Sequence, residues 1–227
     1  YEKEKNRQID DAYLLLGKSR YYTERFVPAI EAFNYIITNY PEANLIYETK
    51  IWRAKANIRI DNPELAIETM NILLRQPDLT EELREETHTT LAMAHMKMDS
   101  IHLVKDQLWL AIKTSKNKVQ RARNLFILGQ LYAMEKNKDT ASMVFKRLVE
   151  FKKAPHKFRI YANIELAKNA ATDSSTIAIL KRFKRLIRNR DNRPYLDALY
   201  YQVAKLEKGR DSIDKAIANY NLSLRAK

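Results

Sequence analysis

The chain has 227 residues, of which 45% are apolar and 30% are charged, and it carries a formal net charge of +13. This apolar fraction is large enough to bury a continuous core, so we expect a folded protein. Cysteine is absent, which excludes disulfides, thiolate metal sites and cysteine nucleophiles. With only three glycines and six prolines, the composition predicts long α-helices joined by short connections.

A repeat of 37 or 38 residues runs along the chain and is marked by small residues at equivalent positions. In each repeat a small or aliphatic residue follows twelve positions later, and a large residue follows four positions after that. Small residues allow the two helices of a pair to pack closely. The markers are Gly17, Ala54, Ala92, Gly129, Ala167 and Ala204. We predict one domain over 1–227, part of a longer chain, with repeats at about 10–43, 47–80, 85–118, 122–155, 160–193 and 197–227.

The fourth repeat shows the pattern most clearly. It reads L-x2-L-G-x2-Y from Leu125 to Tyr132 and A-x3-F-x2-L from Ala141 to Leu148. This pattern resembles the tetratricopeptide repeat (TPR), and it recurs over almost the whole chain. The resemblance implies an all-α, right-handed superhelical solenoid of about six helix-turn-helix repeats that binds other proteins and is not an enzyme.

In TPR proteins the outward positions of the first helix of each repeat line a concave groove, and the resemblance transfers these positions to this chain. They hold apolar and aromatic side chains interleaved with lysine. Such a surface suits an extended or helical peptide that carries acidic residues. The predicted partner-binding residues are Lys18, Tyr21, Tyr22, Lys55, Ile58, Arg59, Met93, Lys97, Phe126, Gln130, Tyr161, Lys168, Tyr201 and Lys205.

Positive charge is concentrated in the second half of the chain. Residues 1–113 hold 15 Lys and Arg against 18 Asp and Glu, whereas residues 114–227 hold 26 against 10. The densest cluster falls on the second helix of the fifth repeat, opposite its apolar face. We predict a convex basic patch of Lys181, Arg182, Lys184, Arg185 and Arg188. It would suit an acidic protein surface, membrane headgroups or RNA phosphates; the alternative is a solvated surface that only maintains solubility.

The residue pattern contains no motif that is typical of an enzyme's active site. His88, His95 and His102 are seven residues apart, about 10 Å along a helix, which is too far for one metal ion. The three glycines are isolated, so no phosphate-binding loop is predicted, and no serine lies in a recognisable triad context. We predict no catalytic residue, no metal and no cofactor. No stretch of 18 apolar residues predicts a membrane span.

The first two repeats carry a more specific resemblance. Segments 10–18, 25–35 and 51–55, with Tyr40-Pro41 at the repeat junction, are similar to the SprE/PorW family of TPR lipoproteins. That family belongs to the type IX secretion and gliding-motility machinery of Bacteroidota, and the resemblance covers residues 10–75. It implies a scaffold in the periplasm, associated with the outer membrane, whose partners are secretion-machinery components. The lipidated cysteine of such a lipoprotein would lie upstream of this chain.

Three other functions remain open from the sequence. The Tyr-Pro junctions also resemble those of the TPR lipoproteins that assist outer-membrane assembly. A cytoplasmic peptide-binding TPR adaptor would have the same repeats. An RNA-binding helical repeat would use the basic half of the chain, but no residue code for successive bases is visible, so nucleic acid is not the expected partner.

Overall fold

The computed structural model describes residues 8–168 and 173–226, and these residues form twelve α-helices, one 3-10 helix (Arg190–Tyr195) and no strand. The predicted all-α helical-repeat class is confirmed. The first helices of the six repeats are α1 (Ile9–Tyr22), α3 (Ile46–Arg59), α5 (Glu81–Lys97), α7 (Lys118–Met134), α9 (His156–Lys168) and α11 (Leu196–Lys208). The second helices are α2 (Phe26–Asn39), α4 (Pro63–Leu74), α6 (Ile101–Thr114), α8 (Lys138–Glu150), α10 (Asp173–Arg188) and α12 (Ile213–Arg225).

The chain divides into two compact units, Tyr1–Asn124 and Leu125–Lys227, called unit 1 and unit 2 below. In unit 1, α2 packs against α3 and α4 packs against α5. In unit 2, α8 packs against α9 and α10 packs against α11. Within each unit, therefore, the second helix of one repeat is covered by the first helix of the next, as expected when every repeat buries its apolar face on its neighbour.

The small marker residues allow helices of the same repeat to approach each other. A β-carbon on Gly17 would lie 2.7 Å from Cδ1 of Phe33, and one on Gly129 would lie 2.6 Å from Cε1 of Phe145. Both phenylalanines are fully buried, and each stabilises the fold by about 2 to 3 kcal/mol relative to an exposed ring. The glycine and the phenylalanine sixteen positions later are thus one packing unit.

A recurrent turn joins the two helices of a repeat. After α1 the backbone N–H of Glu24 donates to the carbonyl of Tyr21, and that of Arg25 donates to Arg20. This pair of bonds is a Schellman motif, which satisfies carbonyls at the end of the helix. It recurs after α3, α5, α7 and α11, and its left-handed residue is never glycine in the turns that the structure describes. These left-handed residues are Glu24, Asp61, Asp99, Lys136 and Asp211.

Two buried polar contacts in unit 1 lie beside the apolar core. The Asn124 side-chain amide donates to Thr89 Oγ1 (3.1 Å) and to Glu85 Oε1 (3.4 Å), and burial raises the pKa of Glu85. The ring of His88 donates from Nδ1 to Oε1 of Gln107 at 2.8 Å, and burial lowers the pKa of His88. The side chains of Asn124, Glu85 and His88 all have hydrogen-bond partners inside the fold, so we interpret them as structural residues.

Candidate functional site

Trp52 is the centre of an aromatic cluster on the first helices of repeats one and two. The rings of Tyr21 and Tyr22 meet it edge to face, with centroids 5.4 and 5.6 Å away. The Nζ atoms of Lys18 and Lys55 lie 5.4 and 4.3 Å from the centre of the indole ring. Both contacts are attractive, because the negative π face of the indole attracts the lysine ammonium groups and the positive edges of the tyrosine rings. We call these five residues the aromatic–lysine cluster.

Helical spacing places the members of this cluster on one face. Tyr21 and Tyr22 follow Lys18 by three and four residues on α1, and Lys55 follows Trp52 by three on α3, so each set projects from one side of its helix. The packing of α1 on α3 then brings the two sets together. The exposed fraction of Tyr22 is 72%, whereas that of Trp52 is only 9%. Tyr22 is therefore the member most accessible to a partner.

The two lysines of the cluster are already paired with carboxylates. Lys18 Nζ lies 2.6 Å from Glu48 Oε1, and Lys55 forms an ion pair with Glu86. Each lysine follows the small marker residue of its repeat by one position, and each glutamate lies six positions before the marker of the next repeat. The charges of Lys18 and Lys55 are therefore balanced at close range.

A second row of ion pairs connects consecutive repeats at the inter-helix turns. Arg59 lies 3.6 Å from Glu24, and Lys97 lies 2.9 Å from Asp61. The guanidinium of Arg59 also lies 4.6 Å from the centre of the Phe26 ring. All four charged side chains are largely exposed, so each pair contributes at most about 1 kcal/mol.

Ile58 requires a correction, because the structure places it in the core and not on a partner-binding surface. Its exposed fraction is 5%, and it packs with Ala54, Met70 and Leu91. The reason is that α3 is packed against α1, α2, α4 and α5, which leaves only a narrow accessible stripe. Met93 is half-buried and packs against the same core.

Two predicted residues of unit 2, Phe126 and Tyr161, are mainly engaged in packing. The ring of Phe126 lies 5.9 Å from that of Phe145 and 6.1 Å from that of Phe158. Tyr161 meets Tyr195 edge to face at 6.0 Å. Both side chains are half-buried, so only part of each is accessible to a partner.

The other predicted residues of unit 2 are exposed. Tyr201 meets Tyr220 edge to face at 5.7 Å, and Lys168 lies 2.7 Å from Glu165 on its own helix. Gln130 and Lys205 are also on the surface. Whether these residues bind a partner stays a prediction.

The predicted basic patch lies on the exposed side of α10. Lys181, Arg182, Lys184, Arg185 and Arg188 are all exposed, while Leu180 and Phe183 are buried on the opposite side. None of the five forms an ion pair with a carboxylate in the part of the chain that the structure describes. Glu150 interacts electrostatically with Arg182 from beyond ion-pair distance, whereas Lys18 and Lys55 are in direct contact with their carboxylates.

Three residues that matter to the cluster were absent from the predicted set: Trp52, Glu48 and Glu86. The repeat register could have predicted the two glutamates. Each lies six residues before the marker of its repeat, and the preceding repeat has a lysine one residue after its own marker. Trp52 has no such signal, because its position holds Thr90 and Ile127 in the following repeats.

The described residues hold neither a metal cluster nor a membrane-spanning helix. No group of three or more His, Asp or Glu side chains there could hold a metal ion. No described helix is both long enough and apolar enough to cross a membrane.

Comparison with known proteins agrees with this fold. A family model for the tetratricopeptide repeat matches residues 11–43, and no curated protein matches the chain in sequence. Three solved structures are similar at low identity, and at such identities the likeness shows the fold alone.

Pseudomonas aeruginosa PilF is 13% identical, with a TM-score of 0.66 over 93% of this chain and 89% of that chain. A TPR protein from Parabacteroides merdae is 15% identical, with a TM-score of 0.61 over 93% and 77%. YrrB, described as a TPR protein with an unusual peptide-binding site, is 14% identical, with a TM-score of 0.59 over 87% and 93%.

Proposed function

We propose that this chain, a TPR-type helical-repeat protein, is a protein-interaction scaffold of the bacterial cell envelope. The observation that carries the proposal is the aromatic–lysine cluster, which lies on the first-helix face where TPR proteins bind their partners. It combines an exposed aromatic anchor, Tyr22, with neighbours that are buried or half-buried. Partner-binding hot spots have this composition, because Trp and Tyr bury a large area at small entropic cost.

The chemistry of the cluster favours an apolar or aromatic side chain of the partner over a run of acidic residues. Lys18 and Lys55 are held by Glu48 and Glu86, so a partner carboxylate would have to compete with them. The indole Nε1–H of Trp52 is buried and has no acceptor among the residues that the structure describes, which is uncommon for a buried polar group.

We place the scaffold in the type IX secretion and gliding-motility machinery, at the periplasmic side of the outer membrane. Support comes from the resemblance of residues 10–75 to the SprE/PorW family, since the whole aromatic–lysine cluster lies inside that segment. The expected partners are envelope components of the secretion machinery.

An affinity pull-down from a Bacteroidota envelope extract tests this proposal. We expect the wild-type chain to recover secretion components and Tyr22→Ala to weaken the recovery about tenfold or more, as for loss of a hot spot. Met143→Ala is the control, because Met143 is also a large side chain that is 55% exposed but lies on the second helix α8, outside the predicted partner-binding residues.

Equal loss with both variants would contradict the assignment of the cluster. Recovery of outer-membrane assembly proteins instead would replace the secretion role with an assembly adaptor role. Recovery of cytoplasmic proteins alone would contradict the envelope location.

A further inference from the structure

One side of α10 combines an exposed isoleucine with four cations. The cations follow the isoleucine by four, seven, eight and eleven residues, which is the spacing of a single helical face. The isoleucine is 50% exposed, and the four cations are exposed as well. We call this set the α10 stripe: Ile177, Lys181, Lys184, Arg185 and Arg188.

The opposite side of α10 fixes the direction in which the stripe points. Leu180 and Phe183 are buried there, and both belong to the core that α10 shares with α9 and α11. The α10 stripe therefore faces away from the core of unit 2. From its first to its last member it extends about 16 Å along the helix axis.

The positive charge of the stripe is not balanced by acidic residues of its own helix segment. No aspartate or glutamate occurs between Ile177 and Arg188. Glu150 on α8 acts electrostatically on Arg182, which flanks the stripe and is not one of its members. The four cations thus produce a positive potential over about 10 Å of the helix, which favours an anionic partner.

The exposed isoleucine narrows the class of that partner. A nucleic-acid backbone offers no apolar surface to Ile177, and the stripe holds no aromatic side chain on which a base could stack. An acidic helical peptide is usually held in an apolar groove, whereas the stripe lies on the exposed side of a single helix.

A bilayer with anionic headgroups fits both parts of the stripe. Lysine and arginine bind phosphate oxygens through charge-assisted hydrogen bonds. An apolar side chain on a basic helical face can enter the boundary between headgroups and acyl chains. Headgroups are mobile in the plane of the bilayer, so they can follow the cations without a preformed pocket.

We propose that unit 2 docks on membranes that contain anionic phospholipids, with the α10 stripe against the headgroups. The four cations bind lipid phosphates, and Ile177 enters between the headgroups. Such attachment to a surface needs no membrane-spanning helix. It is independent of the secretion role proposed above.

Cosedimentation with lipid vesicles tests the proposal. One set of vesicles contains phosphatidylcholine and phosphatidylglycerol in equal parts, and the other contains phosphatidylcholine alone. We expect the wild-type chain to bind only the anionic vesicles, and less at high salt. Replacing Lys181, Arg185 and Arg188 together by glutamine should weaken binding about a hundredfold, because each cation near an anionic surface contributes about fivefold.

A matched control removes the same amount of charge elsewhere. It replaces Lys136, Lys157 and Lys208 by glutamine, and these are exposed positions outside α10. The control should retain most of the binding to anionic vesicles. Circular dichroism checks that both triple variants are folded.

Insertion of Ile177 is measured with a fluorescent label. The chain has no cysteine, so Ile177→Cys and Lys157→Cys each provide one site for an environment-sensitive dye. With anionic vesicles the emission of the dye at position 177 should shift to the blue. The dye at position 157 should show no shift.

Four results would overturn the proposal. The wild-type chain could fail to bind the anionic vesicles at low salt. Equal loss of binding in the two triple variants would mean that net charge alone attracts the chain. The absence of a blue shift at position 177 would favour an acidic protein surface as the partner. Release from the vesicles by oligouridylate at a much lower phosphate concentration than that of the lipid would favour RNA.

Discussion

At the residue scale, the clearest constraint is the space beside Gly17. The ring of Phe33 occupies the volume that a side chain would need, and Phe33 is fully buried, so it has nowhere to move. Protein interiors are packed as densely as organic crystals, so an added methyl group destabilises the fold.

We expect Gly17→Ala to reduce the free energy of unfolding by about 2 kcal/mol, because overpacking of a tight core costs this much. Urea denaturation followed by circular dichroism measures the change. Gly209→Ala is the control, since a β-carbon there would meet only backbone oxygens at 3.6 Å, and it should be nearly neutral. The combination of Gly17→Ala with Phe33→Leu should recover part of the loss; no recovery would mean that another contact limits the space.

Lysines on the first helices show how context changes the role of one residue type. The side chain of Lys55 is 13% exposed, lies over Trp52 and pairs with Glu86. Lys205 occupies the equivalent position on α11 and is exposed. The first is part of the packing of unit 1, whereas the second is available to a partner.

At the element scale, the turn between paired helices has a conformational cost. A left-handed backbone is unfavourable for any residue with a β-carbon, and glycine is the usual solution at this position. In this chain the left-handed position holds an acidic residue or lysine, and the hydrogen bonds of the Schellman motif stabilise that backbone conformation.

We expect Lys136→Gly to stabilise the chain by about 0.5 to 1 kcal/mol, because relief of the left-handed strain exceeds the entropy that glycine adds to the unfolded chain. Thermal and urea denaturation measure the gain. Lys146→Gly, at an exposed position inside α8, should instead destabilise by about 1 kcal/mol. Equal effects of the two substitutions would contradict the role given to the turn.

The α10 helix combines a buried apolar side with an exposed basic side. Phe183 and Leu180 fix its orientation in unit 2, and this orientation directs five cationic side chains to solvent.

At the scale of the whole molecule, the paired lysines of unit 1 contrast with the basic patch on α10 in unit 2. Lysines of unit 1 such as Lys18 and Lys97 have acidic partners within 3 Å. The patch on α10 has no such partners in the described residues. Clustered, unpaired cations produce a stronger local potential than paired ones.

We expect a charge-reversed variant of Lys181, Arg182 and Arg185 to elute from a cation exchanger at clearly lower salt than the wild type. A matched variant reverses the same number of scattered exposed cations: Arg75, Lys113 and Lys118. Because both variants change the net charge equally, a larger shift for the first would locate the anion-binding surface on α10. Equal shifts would indicate that net charge alone sets retention.

The sequence determined the repeat and its internal packing. Markers spaced 37 or 38 residues apart predict the helix pairs, because small residues at that period have meaning only if helices stack on one another. The exposure of the α10 cations also followed from periodicity alone, since apolar residues at helical spacing must face the core.

Only the tertiary structure decided which residues of the first-helix face are free. Ile58 and Tyr22 both looked like surface residues in the repeat register, yet Ile58 is covered by neighbouring helices and Tyr22 is open. Likewise the pairing of Lys18 with Glu48 depends on how α1 packs against α3. Periodicity fixes which side of a helix a residue occupies, but accessibility and charge pairing depend on how close the next helix comes, and that distance is set by the packing of all the side chains between them.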